Sequence, residues 1–328
     1  MLGLPAARTP ESSLSEVLSL TIPFFGLILL GFVVGRIARK PSGGLVWMNI
    51  FIVYVALPAL FFQYLSRMPV DELGDVIYVI ACAGATWVVL IIGFAIAMIR
   101  TGGNLAYSTI LALIGGYANN GYLGPGLALV AIGTTATVPV ALIFSFESTM
   151  FFVLTPVMMA IAGSSEGTFV QQVLRILHRV FTHPFILAVI AGVTAAFFRY
   201  QPPASIDRLL TMLTNAAAPC ALFAMGVTVA LQPMPSSRSV QDISLFIIIK
   251  LVLHPLAAYV VLSAMGAPPL WLMSGVLLAA LPTATNVFIL ATQYGVGREE
   301  ASNAILVGTT LAAFSVTGVL YVIRSGLL

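Results

Sequence analysis

Gly115-Gly116-Tyr117-Ala118-Asn119-Asn120-Gly121-Tyr122-Leu123-Gly124-Pro125-Gly126 and Leu281-Pro282-Thr283-Ala284-Thr285-Asn286 break the pattern of a membrane helix at corresponding places in the chain. Each lies inside a stretch otherwise apolar enough to cross a bilayer. Glycine, proline and asparagine interrupt a helix there at a cost, because the freed N–H and C=O groups find no water in hydrocarbon. Such backbone persists only where protein buries it or where it lines a wet cavity. Interruptions paired between two halves of a chain point to a transporter's binding site. The reading is an all-α membrane protein whose fourth and ninth helices are broken, and helices broken this way can cross near the midplane.

Composition agrees. Of 328 residues, 60% are hydrophobic and 8% are charged, against roughly 25% charged in an ordinary soluble domain. So few charges cannot cover a soluble surface. Apolar runs of about 20 residues recur, the length a helix needs to cross ~30 Å of hydrocarbon. Ten spans are expected, at 15–36, 45–66, 75–99, 106–131, 138–162, 182–199, 206–231, 244–264, 269–293 and 300–324. The net charge of +3 is then a matter of topology, and no nucleic-acid surface of basic and aromatic residues is present. Cys82 and Cys220 fall inside spans as small packing residues, with no CxxC or Cys/His cluster to hold a metal. The first apolar run lacks the basic leader of a signal peptide and reads as a retained helix.

Ten spans put both termini on one side. Arg36, Arg39, Lys40, Arg100, Arg175, Arg179, Arg238 and Arg298 fall on the inner face if the termini lie outside, and fewer arginines fall opposite. The long connection 163–181 separates 1–162 from 182–328, five spans each. An odd count makes the second block enter from the other side, giving two inverted five-helix repeats. Pro58-Ala59-Leu60-Phe61 in span two has a faint counterpart in Pro219-Cys220-Ala221-Leu222-Phe223 of span seven.

The polar residues inside the spans form the candidate site. Asn119, Asn120 and Asn286 offer amide donors and acceptors suited to a carboxylate or a partly stripped cation. Thr283 and Thr285 are weighed with them, and the alternative for all five is that they only satisfy backbone freed by the breaks. Gly121, Gly124, Pro125 and Pro282 shape the breaks and aim half-helix N-termini at an anion. Glu147 is the only acid well inside a span. Ionising it there costs about 2.5 kcal/mol or more unless it is paired, which makes it a candidate proton carrier. Lys250 and His254 share a helix face. Lys250 is expected to serve an anionic substrate or to snorkel, and His254 is a further ion-coupling candidate. A pairing of Glu147 with either stays open. Trp47, Trp87 and Trp271 read as interface or packing residues.

These motifs resemble the auxin efflux carrier family. Asn119-Asn120-Gly121-Tyr122-Leu123-Gly124-Pro125 is similar to that family's fourth-helix motif, although the family proline falls one position later, at Gly126 here. Leu281 to Asn286, followed by Leu290-Ala291-Thr292-Gln293-Tyr294-Gly295, resembles its ninth-helix motif. Val55-Ala56-Leu57-Pro58-Ala59-Leu60-Phe61 resembles its second-helix signature. The likeness covers essentially the whole chain and lies nearest the bacterial malonate branch. It implies a ten-helix fold with crossing fourth and ninth helices and transport of organic anions.

The expected function is therefore secondary transport of a small carboxylate, malonate or a similar dicarboxylate, across the cell inner membrane by alternating access. A sodium-coupled symporter of larger organic anions is the runner-up, and a non-transporting receptor or scaffold is the alternative outside the class. No cofactor is implied, and no Ser/His/Asp set, HExxH, GxSxG or Walker sequence suggests an enzyme. Proton or sodium coupling and a homodimeric assembly both stay open.

Overall fold

A computed structural model describes residues 14–38, 43–67, 76–163, 181–232 and 237–325, with 171, 174, 177 and 178 between them. Most of the connection 163–181 lies outside the described residues. So do Arg8, Arg39, Lys40, Asp71, Glu72, Asp75, Arg175 and Arg179, on which much of the expected orientation rests, and the side chain of Arg238.

The protein is all-α. In chain order the helices are α1 (Leu14–Ala38), α2 (Gly44–Phe51), α3 (Leu57–Leu65), α4 (Val76–Arg100), α5 (Leu105–Gly116), α6 (Gly124–Ala131), α7 (Thr137–Ile161) and α8 (Pro184–Phe197). There follow α9 (Ala204–Leu231), α10 (Ser237–Ile248), α11 (His254–Ala264), α12 (Pro269–Ala280), α13 (Thr285–Tyr294) and α14 (Arg298–Arg324). Among the described residues, seven helical stretches are long and apolar enough to cross a membrane. Three apolar helices are shorter: α5, α8 and α12. Helices α5 and α12 have 12 residues each, or about 18 Å at 1.5 Å per residue. That falls short of ~30 Å of hydrocarbon, and both stop at the two segments quoted above.

Local chemistry explains the stops. Leu281 precedes Pro282 and leaves the helical region, with ψ 150°, because the proline ring disfavours αR before it. Helix α5 ends on Gly115-Gly116, and Tyr117 is extended at ψ 101°. Helix α13 ends on Gly295 at φ +68°, whose neighbour Val296 N–H reaches back to the Ala291 carbonyl at 3.0 Å. Only glycine takes that left-handed position cheaply.

Two helices change register without stopping. Residues Ile52–Ala56 join α2 to α3, and Ile249–Leu253 join α10 to α11, each as a π-helical turn. Pro58 and Pro255 lie just beyond them. A proline lacks the N–H that would bond four residues back, and one inserted residue absorbs the mismatch. Pro219, matched to Pro58 on sequence, instead sits inside the unbroken α9.

The surface inverts that of a water-soluble protein. Ile22, Leu29, Ile91, Ile99 and Phe314 are exposed, while Thr86, Asn119, Asn120, Glu147, Lys250 and His254 are buried. Apolar exposure on this scale suits acyl chains as solvent. Contacts at the helix ends sort into two faces. Arg100 with Asp242 and the Tyr107 hydroxyl with Glu300 gather the ends of α4, α5, α10 and α14. Arg67 with Asp207, and Arg324 on the Ala131 carbonyl, gather those of α3, α9, α6 and the far end of α14. Of the tryptophans, Trp271 is buried and packs on Tyr78, whereas Trp47 is exposed.

Helices α1 and α9 pack through backbone. A Cβ on Gly226 would lie 2.0 Å from the Ile28 carbonyl oxygen, and one on Gly31 would lie 2.2 Å from that of Phe223. Small residues let membrane helices approach this closely. Gly226→Ala must push the two backbones apart, and overpacking of this kind costs about 1–3 kcal/mol. The purified variant should melt roughly 3–10 °C below the wild type. An unchanged melting temperature would show that the contact yields freely.

Candidate functional site

The two interruptions meet. Residues 117–119 and 282–284 run antiparallel: Asn119 N–H donates to the Pro282 carbonyl at 2.9 Å and Ala284 N–H to the Tyr117 carbonyl at 2.8 Å. Each break thus satisfies the other's backbone, which removes most of the penalty for unwinding in hydrocarbon. The carbonyls freed at the helix ends are capped by side chains. Thr283 Oγ1 donates to the Ile114 carbonyl at 2.8 Å, and Lys250 Nζ donates to the Ala279 carbonyl at 2.6 Å. A cation at a helix C-terminus is also favoured by the helix dipole.

Beside this junction lies a cavity of about 210 Å³. Its polar lining includes Asn119, Asn286, Thr285, Gln293 and His183, and its apolar wall includes Tyr122, Phe144, Phe152 and Phe185. The first turn of α13 opens onto it, a helix N-terminus whose N–H groups favour an anion. Asn286 Nδ2 donates to the Tyr117 hydroxyl at 3.1 Å, and the Tyr117 ring stacks on Phe151 with centroids 3.9 Å apart. Asn119 Nδ2 reaches Met225 Sδ on α9 at 3.3 Å, a weak acceptor that leaves much of the amide's capacity unused.

Of the residues singled out on sequence, Asn119, Gly121, Thr285 and Asn286 line this cavity; Asn120, Gly124, Pro125, Pro282, Thr283 and Lys250 do not. Gly124 has a packing role, since a Cβ there would lie 2.8 Å from Leu278. Thr283 and Pro282 act in the junction itself.

Asn120 and Lys250 belong to a second, buried cluster behind the junction. Asn120 Nδ2 donates to Glu147 Oε2 at 2.6 Å, and the Thr86 hydroxyl lies 2.7 Å from Glu147 Oε1 and 3.0 Å from His254 Nε2. Lys250 Nζ lies 2.9 Å from His254 Nδ1. Glu147 therefore pairs directly with neither base: Thr86 stands between it and His254. Buried polar groups of this number persist only when mutually satisfied.

Two residues escaped the sequence reading. Thr86 is one threonine in an apolar helix, and nothing local marks it. His183 precedes Pro184 at the start of α8 and sits with its ring 4.9 Å from both Phe152 and Phe185. Its place beside a short apolar helix was the available signal. No group of three or more metal-binding side chains occurs among the described residues.

Comparison with known proteins fits this geometry. A family model described as "Membrane transport protein" matches residues 17–320. A Rhizobium meliloti protein named "Putative malonate transporter" is 49% identical over 96% of this chain and 98% of its own length. An "Uncharacterized transporter" of Methanothermobacter thermautotrophicus is 23% identical over 88% of this chain and 92% of its own. A rice "Probable auxin efflux carrier component 1b" is 27% identical over 43% of this chain and 26% of its own. A chain with interrupted apolar helices, an inverted surface and a match along nearly its whole length belongs to the membrane transport protein family that includes the auxin efflux carriers, and is a transporter, not an enzyme.

Proposed function

We propose that this transporter moves a small organic anion, malonate or a similar dicarboxylate, by alternating access around crossed, interrupted helices. In this reading ten membrane helices form two inverted five-helix repeats, 1–162 and 182–328, joined by 163–181, in the cell membrane. The observation that carries it is the cavity at the junction of the two breaks, where Asn286, Thr285 and the N-terminus of α13 converge. Fixed N–H dipoles and amides replace the water that an anion sheds on entering. The size of the cavity supports a small ligand: about 210 Å³ falls below the ~300–1,000 Å³ typical of drug-sized sites. That favours a small carboxylate over larger organic anions. The name of the Rhizobium relative supports the same substrate class.

Uptake of radiolabelled malonate into proteoliposomes tests the reading, with unlabelled dicarboxylates and monocarboxylates as competitors. Malonate should compete best, and uptake that malonate cannot inhibit would overturn the assignment. Within this site His183 is the side chain able to supply a positive charge to the lining. His183→Gln should raise KM for malonate by about 5- to 30-fold, as expected for about 1–2 kcal/mol of lost charge-assisted bonding. The rise for a matched monocarboxylate should be smaller. Equal changes for both would assign His183 to packing between the two phenylalanines.

A further inference from the structure

The buried cluster spans the two interruptions. Asn120 lies within the first, and Ala279, whose carbonyl takes the Lys250 ammonium, lies in the last turn of α12 before the second. Between them run Glu147, Thr86 and His254, every link at 3.0 Å or less. We infer that these side chains form a proton relay between Glu147 and Lys250, with Thr86 as the hydroxyl that connects them, and that a proton gradient drives the carrier through it.

Hydrogen-bonding capacity fixes the direction. An ammonium only donates and a carboxylate only accepts. With both ends charged, Lys250 donates to Nδ1 of His254, the Nε2–H of His254 donates to Thr86, and the Thr86 hydroxyl donates to Glu147 Oε1. The order reverses if three protons each move by one bond. Bonds to hydrogen break at Lys250 Nζ, His254 Nε2 and Thr86 Oγ1, and form at His254 Nδ1, Thr86 Oγ1 and Glu147 Oε1. Each electron pair stays on the atom that gives up its proton. Lys250 becomes a neutral amine, Glu147 a neutral acid, and His254 and Thr86 keep their charge. Each link of the chain persists in either order, and only the longer contact of the Thr86 hydroxyl with the Cys82 carbonyl, at 3.2 Å, is given up when the order reverses.

Protons from outside meet the relay at Glu147. Asn120 Oδ1 has no hydrogen-bond partner among the described residues and offers an acceptor beside the carboxylate. Asn119 and Gly121, on either side of Asn120, line the cavity. A proton taken up there neutralises Glu147 while Lys250 keeps its charge, so the cluster gains one positive charge as an anion enters next to it. Cys82 on α4 and Tyr117 at the end of α5 are further titratable groups in electrostatic contact with Glu147.

Thr86→Val keeps the shape of the side chain and removes the link; Thr86→Ser restores the hydroxyl. Two measurements separate the relay from the substrate assignment, on which only the second rests. In infrared pH titrations of the purified protein, a carboxylic-acid band that Glu147→Gln removes should titrate together with a histidine ring band that His254→Gln removes. In Thr86→Val the two should titrate apart by at least tenfold in proton concentration, and in Thr86→Ser together again. Independent titration in the wild type overturns the relay whatever the substrate. In proteoliposomes, malonate accumulation under an imposed pH gradient is divided by malonate exchange at equal pH. That ratio should fall at least tenfold in Thr86→Val and recover in Thr86→Ser. A ratio that does not change, or accumulation driven by sodium and not by protons, also overturns it. Coupled titration with no malonate transport would overturn the substrate assignment instead.

Discussion

Asn286→Ala should lower kcat/KM for malonate by about 10- to 100-fold while the protein inserts and purifies normally. Asn286 stands in the first turn of α13, lines the cavity, and is held by its bond to the Tyr117 hydroxyl at 3.1 Å. That hydroxyl aims the amide, and Phe151 clamps the tyrosine ring from the other side. A hydrogen bond to a charged group contributes about 1.5–3 kcal/mol, and each 1.36 kcal/mol is about tenfold in rate. Tyr117→Phe removes the orienting hydroxyl and keeps the stack, so it should cost less than Asn286→Ala, in KM more than in kcat. Asn119→Ala should also cost less, because that amide donates to a methionine sulfur and its backbone carries the junction. Wild-type kinetics in Asn286→Ala would remove the junction from the substrate's path.

The breaks were legible because they combine residues whose backbone needs are strong and local. Pro282 expels Leu281 from the helical region, and Gly115-Gly116 ends α5, whatever surrounds them. The span ends were legible for the same reason, since length and hydropathy act within one helix. The eighth expected span begins earlier than residue 244, with α10 at Ser237, because its first turns are amphipathic and carry Arg238 and Asp242 outside the apolar window. The π turns have a local signal in Pro58 and Pro255, each of which removes a backbone N–H just beyond the turn. The polar clusters have no such signal. Thr86 meets Glu147 and His254 across 61 and 168 positions of sequence, and no pattern within α4 announces partners that tertiary packing supplies. Counting rise along the two helices puts Glu147 and His254 at a similar depth, yet depth cannot show that a hydroxyl separates them. His183 illustrates the opposite case: it stands at a helix start beside a proline, where histidine is unremarkable, and only the fold turns it toward the cavity.

Lys250→Met should destabilise the protein by about 3–5 kcal/mol, the cost of leaving a buried charge without its counter-charge. It should also reduce transport of dicarboxylates and monocarboxylates by similar factors. Sequence alone suggested a direct counter-charge for the substrate, which would make the loss selective for dicarboxylates. The geometry favours the other outcome. Lys250 is 1% exposed, and its ammonium is committed to His254 and to the Ala279 carbonyl. Methionine keeps much of the apolar stem but leaves that carbonyl uncapped at the end of α12 and Glu147 without a compensating charge. Glu147→Gln should be costly alone for the converse reason. The double variant has no net charge left to bury, so its loss should be smaller than the sum of the two by about 1 kcal/mol or more, the usual sign of coupled neighbours. Melting temperatures in detergent read the coupling, and uptake with paired mono- and dicarboxylates reads the selectivity. Additive losses together with a dicarboxylate-selective rise in KM would move Lys250 out of the cluster and onto the substrate.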